Sequence, residues 1–155
     1  FLAAVHFAGK RTGVAFLDLS TGEFFAAEGD SPYVDKLLAN LSPKEVIYQK
    51  GYESEFSEAF GTKHYTYRLD PWMFAENSAR DKLLAQFGTT SLKGFGIEQM
   101  PAAITAAGAI LYYLEFTEHR RLSLLRPEPS IRTWPILSLA RSKYAASPRC
   151  KERMQ

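Results

Sequence analysis

The apolar pattern of the chain is clearest between Pro101 and Leu114, where no residue is charged. Apolar residues recur there at the three- and four-residue intervals of a buried helical face, at Ile104, Ala107, Gly108, Leu111 and Leu114. Pro101 suits the first turn of such a helix. Gly108 costs about 1 kcal/mol relative to alanine inside a helix, and we expect close packing to compensate. The stretch is shorter than the ~20 apolar residues of a membrane span, so it predicts a buried central helix.

Three short apolar runs separated by glycine-containing turns open the chain. We predict strands over residues 2–8, 14–19 and 23–27, joined as an antiparallel meander. Ser31 is the expected N-cap residue of the next helix, with Pro32 at its first position. That helix presents one apolar face, made of Val34, Leu37, Leu38 and Leu41.

Strands and helices alternate after this first helix. The pattern predicts a strand over 45–48, a helix over 52–60, an edge strand over 63–69 and a helical segment over 70–87. The glycine-rich stretch 88–96 then reads as a loop held to the body by apolar anchors, at Leu92, Phe95 and Ile97. The order βββαβαβαα predicts an α/β fold, a mixed β-sheet flanked by helices.

Charge divides the chain into two parts. From Arg126 onward the chain holds 7 of its 19 Lys and Arg but 2 of its 17 Asp and Glu. We therefore predict one domain over 1–125 and, over 126–155, a basic, proline-containing tail that is the least ordered part. Cys150 is the single cysteine, which excludes an intramolecular disulfide and a cysteine-based zinc site. It fits a reducing compartment, so we expect a cytoplasmic location and no membrane association.

A sheet led by three antiparallel strands invites comparison with ribonuclease-H-like nucleases, which hold divalent metals with several carboxylates. Asp18, Glu76 and Asp81 are the candidate ligands. The alternative is that Asp18 bonds the backbone of a turn, while the two others occupy the first turns of a helix and favour its dipole. Because no metal-ligand spacing is present, this alternative is favoured.

The remaining candidates for chemistry are weaker. His6, His64 and His119 share no motif, which favours strand or surface positions over a catalytic base. The stretch 88–96 lacks the spacing and the Lys-Ser/Thr ending of a phosphate-binding loop. Several aromatic residues could stack on nucleic-acid bases, but their helical spacing among aliphatic residues favours core packing: Trp72, Phe74, Phe87, Phe95, Tyr112, Tyr113 and Phe116.

Several runs of the sequence together resemble one family. They are residues 2–5, 13–24, 43–48, 79–89, 92–98 and 106–114. In order and spacing, over about residues 1–122, these runs resemble the connector domain of MutS mismatch-repair proteins. The resemblance implies a ribonuclease-H-like topology without nuclease activity, and therefore a part of the protein that is not an enzyme.

The resemblance also implies partners and a partner-binding surface. In the family this domain joins the mismatch-binding domain to the core domains, relays conformational change between the DNA clamp and the ATPase, and docks MutL. The docking surface of the family includes the start of this helix, and the matching positions are Asp81 and Lys82, which are polar and should be exposed. An ordinary solvated helix face is an equal alternative. The resemblance places ATP, Mg²⁺ and mismatched duplex DNA in other domains of the parent protein. This part would hold no cofactor and make little direct contact with DNA.

The resemblance stops after Leu122, where the family would continue into a further strand. The tail 126–155 departs from it in charge and proline content, which suggests a shifted reading frame or an artificial end. Two alternatives to the connector function stay open from the sequence. One is a metal-dependent, ribonuclease-H-like nuclease, and the other is a nucleic-acid-binding module that uses the basic tail.

Overall fold

A computed structural model describes residues 1–21 and 23–122, with side chains up to Thr117. Its strands are β1 (Leu2–Ala8), β2 (Arg11–Leu17), β3 (Phe24–Gly29), β4 (Glu45–Gln49) and β5 (Thr66–Leu69). Its helices are α1 (Ser31–Leu41), α2 (Glu53–Phe60), α3 (Glu76–Phe87) and α4 (Pro101–Leu122), with 3₁₀ turns at Pro71–Phe74 and Lys93–Phe95. The predicted tail 126–155 lies outside the described residues.

The five strands form one mixed sheet in the order β3-β2-β1-β4-β5. β1, β2 and β3 are antiparallel neighbours, whereas β4 and β5 continue the sheet parallel to β1. The predicted α/β class, the meander and the edge position of β5 are therefore confirmed. β2 starts at Arg11 rather than Val14, because the preceding turn needs only Gly9 and Lys10, with Gly9 at φ +63°.

Each face of the sheet carries its own apolar core. Alternate side chains of a strand point to opposite faces, and the two sets belong to separate clusters. The helices α1 and α2 cover one face through Val34, Leu37, Phe56 and Phe60. The other face is covered by α3, α4 and the 3₁₀ turn at 71–74. The result is a sheet flanked by helices on both sides, as predicted.

Two predicted helix boundaries are wrong. The N-cap of α1 is Asp30 rather than Ser31, since the Asp30 Oδ1 accepts a hydrogen bond from the Tyr33 N–H at 2.9 Å. The predicted helical segment over 70–87 is two elements, because Ala75 is extended at φ −106° and ψ 125°. This break separates the 3₁₀ turn from α3 and leaves Phe74 stacked on His6 of β1, with ring centroids 5.7 Å apart.

α4 is the central element, and it is buried on every side from Ala102 to Leu111. The predicted buried helix is confirmed, although it extends eight residues beyond Leu114. No helix among the described residues has the length and apolar character to cross a membrane. The small residues of α4 allow α3 to approach closely. A Cβ placed on Gly108 would lie only 2.3 Å from the Ala79 Cβ. The expected close packing at Gly108 is therefore present.

The start of α4 rests directly on the sheet. His6, Gly13 and Glu28 stand side by side on β1, β2 and β3 and share the face that α4 covers. A Cβ on Gly13 would lie 2.1 Å from the backbone of Ala102, so the glycine makes room for the end of the helix. Sequence reasoning offered no role for Gly13 beyond a turn.

Glu28 of β3 caps the N-terminus of α4, although it is distant from this helix in the sequence. Its Oε1 accepts hydrogen bonds from the Ala102 N–H at 2.6 Å and the Ala103 N–H at 3.3 Å. Its Oε2 accepts one from the Arg11 Nε at 3.2 Å. Met100, which precedes Pro101, has no side-chain oxygen with which to cap the helix. A buried carboxylate from β3 therefore supplies the negative charge that the N-terminus of α4 favours.

Replacing Gly108 with alanine should destabilise the protein. An alanine favours a helix by about 1 kcal/mol over glycine, but the overlap with Ala79 should reverse the sign and lower the free energy of unfolding by about 1–3 kcal/mol. Adding Ala79→Gly should recover part of the loss. Urea denaturation measures both effects, and Gly94→Ala is the control because a Cβ on Gly94 meets no atom within 4 Å. A neutral Gly108→Ala would contradict close packing.

Glu28→Ala should lower the free energy of unfolding by about 3 kcal/mol, since two buried N–H groups lose their acceptor. Glu28→Gln should cost less because an acceptor oxygen remains. Arg11→Ala should cost under about 1 kcal/mol, because the arginine is largely exposed. The same denaturation measurement applies to all three variants. Equal losses for Glu28→Ala and Arg11→Ala would assign the stabilisation to the ion pair instead of the helix cap.

Candidate partner-binding surface

Two of the three carboxylates that could have held a metal, Asp18 and Glu76, have separate structural roles. Asp18 follows β2 and accepts hydrogen bonds from the Ser20 hydroxyl at 2.6 Å and the Ser20 N–H at 2.9 Å. The hydroxyl bond and the backbone bond lower the pKa of Asp18. Glu76, in the first turn of α3, pairs with Arg80 at 3.4 Å. Across 1–21 and 23–122, no group of three or more His, Cys, Asp or Glu is placed to hold a metal ion.

The histidines are also apart from one another. His6 lies on β1 against Phe74, whereas His64 lies on the other side of the sheet against Phe56 of α2, with centroids 6.3 Å apart. Burial lowers the pKa of both, with nearby Glu28 acting in the opposite direction on His6. His119 lies within α4, beyond the described side chains. The two described histidines therefore form no shared catalytic site.

The glycine-rich loop before α4 is fastened to α3. Arg80 Nη1 donates to Glu98 Oε1 at 3.0 Å, and Glu98 Oε2 accepts from the Leu92 N–H at 3.0 Å. Leu92 and Ile97 are fully buried, and Phe95 is half-buried against Phe87. The predicted apolar anchors are thus confirmed. Ala79, the residue before Arg80, packs beneath α4 at Gly108, whereas Arg80 holds the loop.

Asp81 and Lys82 lie in the second turn of α3, not at its start, because the helix begins at Glu76. Asp81 is exposed on the outer face of α3, together with Asn77, Ser78 and Ala85. Lys82 is half-buried, which contradicts its predicted exposure. The two neighbours therefore present different surfaces: Asp81 faces outward, and Lys82 faces α4.

Lys82 bridges α3 and α4. Its ammonium pairs with Glu115 of α4 and lies 4.7 Å from the ring centroid of Tyr112. Together with Glu115 it lines a groove of about 230 Å³ between the helices, whose other lining residues are Gln86, Leu111 and Leu114. The ion pair and the contact with the aromatic ring hold Lys82 in place. Lys82 therefore helps to hold the second half of α4 against α3.

The aromatic residues are divided between core and surface. Phe74 is buried, and Phe87, Phe95, Tyr112 and Tyr113 are half-buried against the α4 side of the sheet. Burial and a hydrogen bond with Glu45 raise the pKa of Tyr113. Trp72 and Phe116 are 59% and 43% exposed, so the prediction of core packing is wrong for these two. Helical spacing shows which residues share a face but not whether a neighbour covers that face.

Comparisons with known proteins agree on one family. The family profile described as MutS domain II matches residues 1–126. The chain is 53% identical over 122 residues to the DNA mismatch repair protein MutS of Bacteroides fragilis, and 50% identical over 123 residues to that of Parabacteroides distasonis. The MutS of Flavobacterium johnsoniae is 49% identical over 122 residues. Each match covers 79% of this chain and 14% of the relative.

The lowered histidine pKa values predict a pH dependence of stability. Around and below the ordinary histidine pKa of 6.5, the folded state binds fewer protons than the unfolded state. Stability from these groups is therefore fully present above pH 6.5 and is lost as the pH falls through 6.5 toward the lowered pKa values. His6→Phe keeps a ring against Phe74 and removes one titrating group.

The free energy of unfolding should fall between pH 7.5 and pH 5.5 by less in His6→Phe than in the wild type. Asp18 and Glu53 also have lowered pKa values, but carboxylates lose their contribution at a lower pH. Urea denaturation at the two pH values measures the difference. Parallel pH profiles for the two proteins would show that burial of His6 does not affect its titration.

Proposed function

The chain belongs to the MutS family of DNA mismatch-repair proteins, within which it matches domain II, and on this premise we propose that it is the non-catalytic connector of a longer MutS protein. It would join the mismatch-binding domain to the core and ATPase domains and would dock MutL. Mismatched DNA, ATP and Mg²⁺ would be bound by the rest of the parent protein. The match over residues 1–126 carries the proposal, since it covers most of the chain.

We also infer a ribonuclease-H-like topology for this domain. The strand order β3-β2-β1-β4-β5, with an antiparallel meander followed by two parallel strands, supports it. Two of the three carboxylates that the sequence offered to such a nuclease have local structural partners instead. Asp18 is bound within its own turn, and Glu76 is paired with Arg80. A relay and docking function therefore agrees better with the geometry than phosphodiester cleavage does.

Asp81 is the residue through which we propose that MutL docks. It lies on the exposed face of α3, and its neighbours there, Ser78 and Ala85, are small enough to let a partner approach closely. Lys82 would act indirectly, because its ammonium is already paired with Glu115 and placed over Tyr112. Lys82→Glu would bring two carboxylates together, so this variant would mix loss of binding with loss of stability.

Asp81→Lys tests the docking proposal without that complication. It should weaken MutL binding about tenfold, because the reversed charge would place like charges together at the contact, while the melting temperature should stay nearly unchanged, as expected for an exposed position. The measurement is a titration of the chain with MutL from the same source, with duplex DNA as a second ligand. Glu58→Lys is the matched control, an exposed charge reversal on α2 across the sheet.

Each result of this titration has a distinct meaning. Binding of MutL but not DNA, weakened by Asp81→Lys and unaffected by Glu58→Lys, would support the proposed docking face. Equal affinity for both variants would remove Asp81 from it. DNA binding without MutL binding would favour a nucleic-acid module, and metal-dependent cleavage abolished by Asp18→Asn would favour a nuclease.

A further inference from the structure

Glu45, the first residue of β4, has a buried carboxylate oxygen without a hydrogen bond. Tyr113 of α4 donates a hydrogen bond to this carboxylate, but the Glu45 Oε1 has no hydrogen-bond partner among the described residues. Within the same part of the chain, no Lys, Arg or His forms an ion pair with Glu45. A buried acceptor without a donor costs free energy, so a site that retains one is suited to bind a donor from outside.

Three tyrosines are grouped around this carboxylate. Glu45 lies two residues before Ile47 on β4, and the neighbour of Ile47 on β5 is Tyr67. Tyr65 lies two residues before Tyr67, so these side chains and Glu45 emerge on the sheet face that α4 covers. The rings of Tyr67 and Tyr113 are nearly perpendicular, at 79°, with centroids 5.6 Å apart. After burial and the Glu45 carboxylate, Tyr67 and Tyr65 also contribute to the raised pKa of Tyr113, as expected for phenol groups that lie close together.

The site is open to solvent on the side of β5. Tyr65 is 73% exposed and Tyr67 is 45% exposed. Tyr113 is half-buried and is held by its hydrogen bond to Glu45. A ligand can therefore reach the two outer rings directly, and the Tyr65 side chain has room to move aside. We call Glu45, Tyr65, Tyr67 and Tyr113 the tyrosine site.

The chemistry of the tyrosine site selects a cationic donor. The faces of tyrosine rings attract cations, and a carboxylate forms its strongest hydrogen bonds with charged donors. A guanidinium group satisfies both conditions, because it is planar, stacks on aromatic rings and donates from several N–H groups. An ammonium group is more strongly hydrated and does not stack. The arrangement therefore favours arginine over lysine.

We propose that the tyrosine site binds the guanidinium group of an arginine side chain. The Glu45 Oε1 would accept a hydrogen bond from this group, while Tyr65 and Tyr67 would contact its faces. The site is formed by β4, the start of β5 and α4, whereas Asp81 lies on α3. The proposal therefore goes beyond the docking of MutL at Asp81 and does not depend on it. The arginine can belong to another molecule or to residues 126–155 of this chain, which begin with Arg126.

An NMR titration of the full chain, observed through its tyrosine ring signals, tests the proposal. The probe is N-acetyl-arginine amide, and N-acetyl-citrulline amide is its neutral counterpart of nearly the same shape. The arginine probe should shift the signals of Tyr65, Tyr67 and Tyr113 until they saturate. The citrulline probe should bind at least about tenfold more weakly, because it lacks the charge-assisted hydrogen bond. The corresponding lysine probe should also bind more weakly than arginine.

Glu45→Gln is the principal variant, since it removes the charge but keeps an acceptor for Tyr113. It should weaken binding of the arginine probe by at least about tenfold. Glu55→Gln is the matched control, because Glu55 is exposed on α2, which covers the other face of the sheet. This control should bind as the wild type does. Tyr65→Leu removes one exposed ring and should also weaken binding, so the test remains decisive if Glu45→Gln does not fold.

The results also separate the two sources of the arginine. An arginine Nε–H signal that is displaced by ring currents before any probe is added, and that returns to its ordinary position in Glu45→Gln, would assign the site to an arginine of this chain. Saturable binding of the probe without such a signal would assign it to another molecule. Equal affinity for arginine and citrulline, or unchanged binding in both Glu45→Gln and Tyr65→Leu, would overturn the proposal. The absence of both the displaced signal and saturable binding would overturn it as well.

Discussion

The contact between the Glu28 carboxylate and the start of α4 is the constraint on which the rest of the structure depends. Its Oε1 satisfies the N–H groups of Ala102 and Ala103, which would otherwise be buried without an acceptor. The carboxylate lies opposite Gly13, whose missing side chain leaves space for the helix end. One charge and one absent side chain thus fix where a 22-residue helix begins on the sheet.

The position of α4 in turn sets the position of α3. The helices approach closely at Gly108 and Ala79, so their relative placement is fixed by contacts that a single methyl group would disturb. A second link, from Lys82 to Glu115, holds them together one helical turn farther along α3. The outward direction of Asp81 is therefore a consequence of how α4 is seated. The candidate binding surface and the core cannot be changed independently.

Sequence patterns predicted the elements whose signals are local. The apolar period after Pro101, the alternation in the first strands and the turn around Asp18 each lie within a few residues, and each was predictable. The cap of α4 was not, because Glu28 is 74 residues from the N–H group that it binds. The exposure of Trp72 was not predictable either, because helical spacing shows which residues share a face but not whether another element covers that face. The partial burial of Lys82 was also not predictable from local sequence, because it depends on contact with Glu115 of another helix.

The relay proposed for this domain would need a rigid connection between two surfaces, and the placement of α4 fits that proposal. Glu28 of β3 holds its first turn. In its later turns, Tyr113 contacts Tyr67 and Tyr112 contacts Trp72. The helix therefore crosses the sheet from the meander to the edge strand. Because Tyr112 and Glu115 also contact Lys82, a displacement of the later turns of α4 would be transmitted directly to α3. Tight packing along α4 would favour its movement as one body over local deformation.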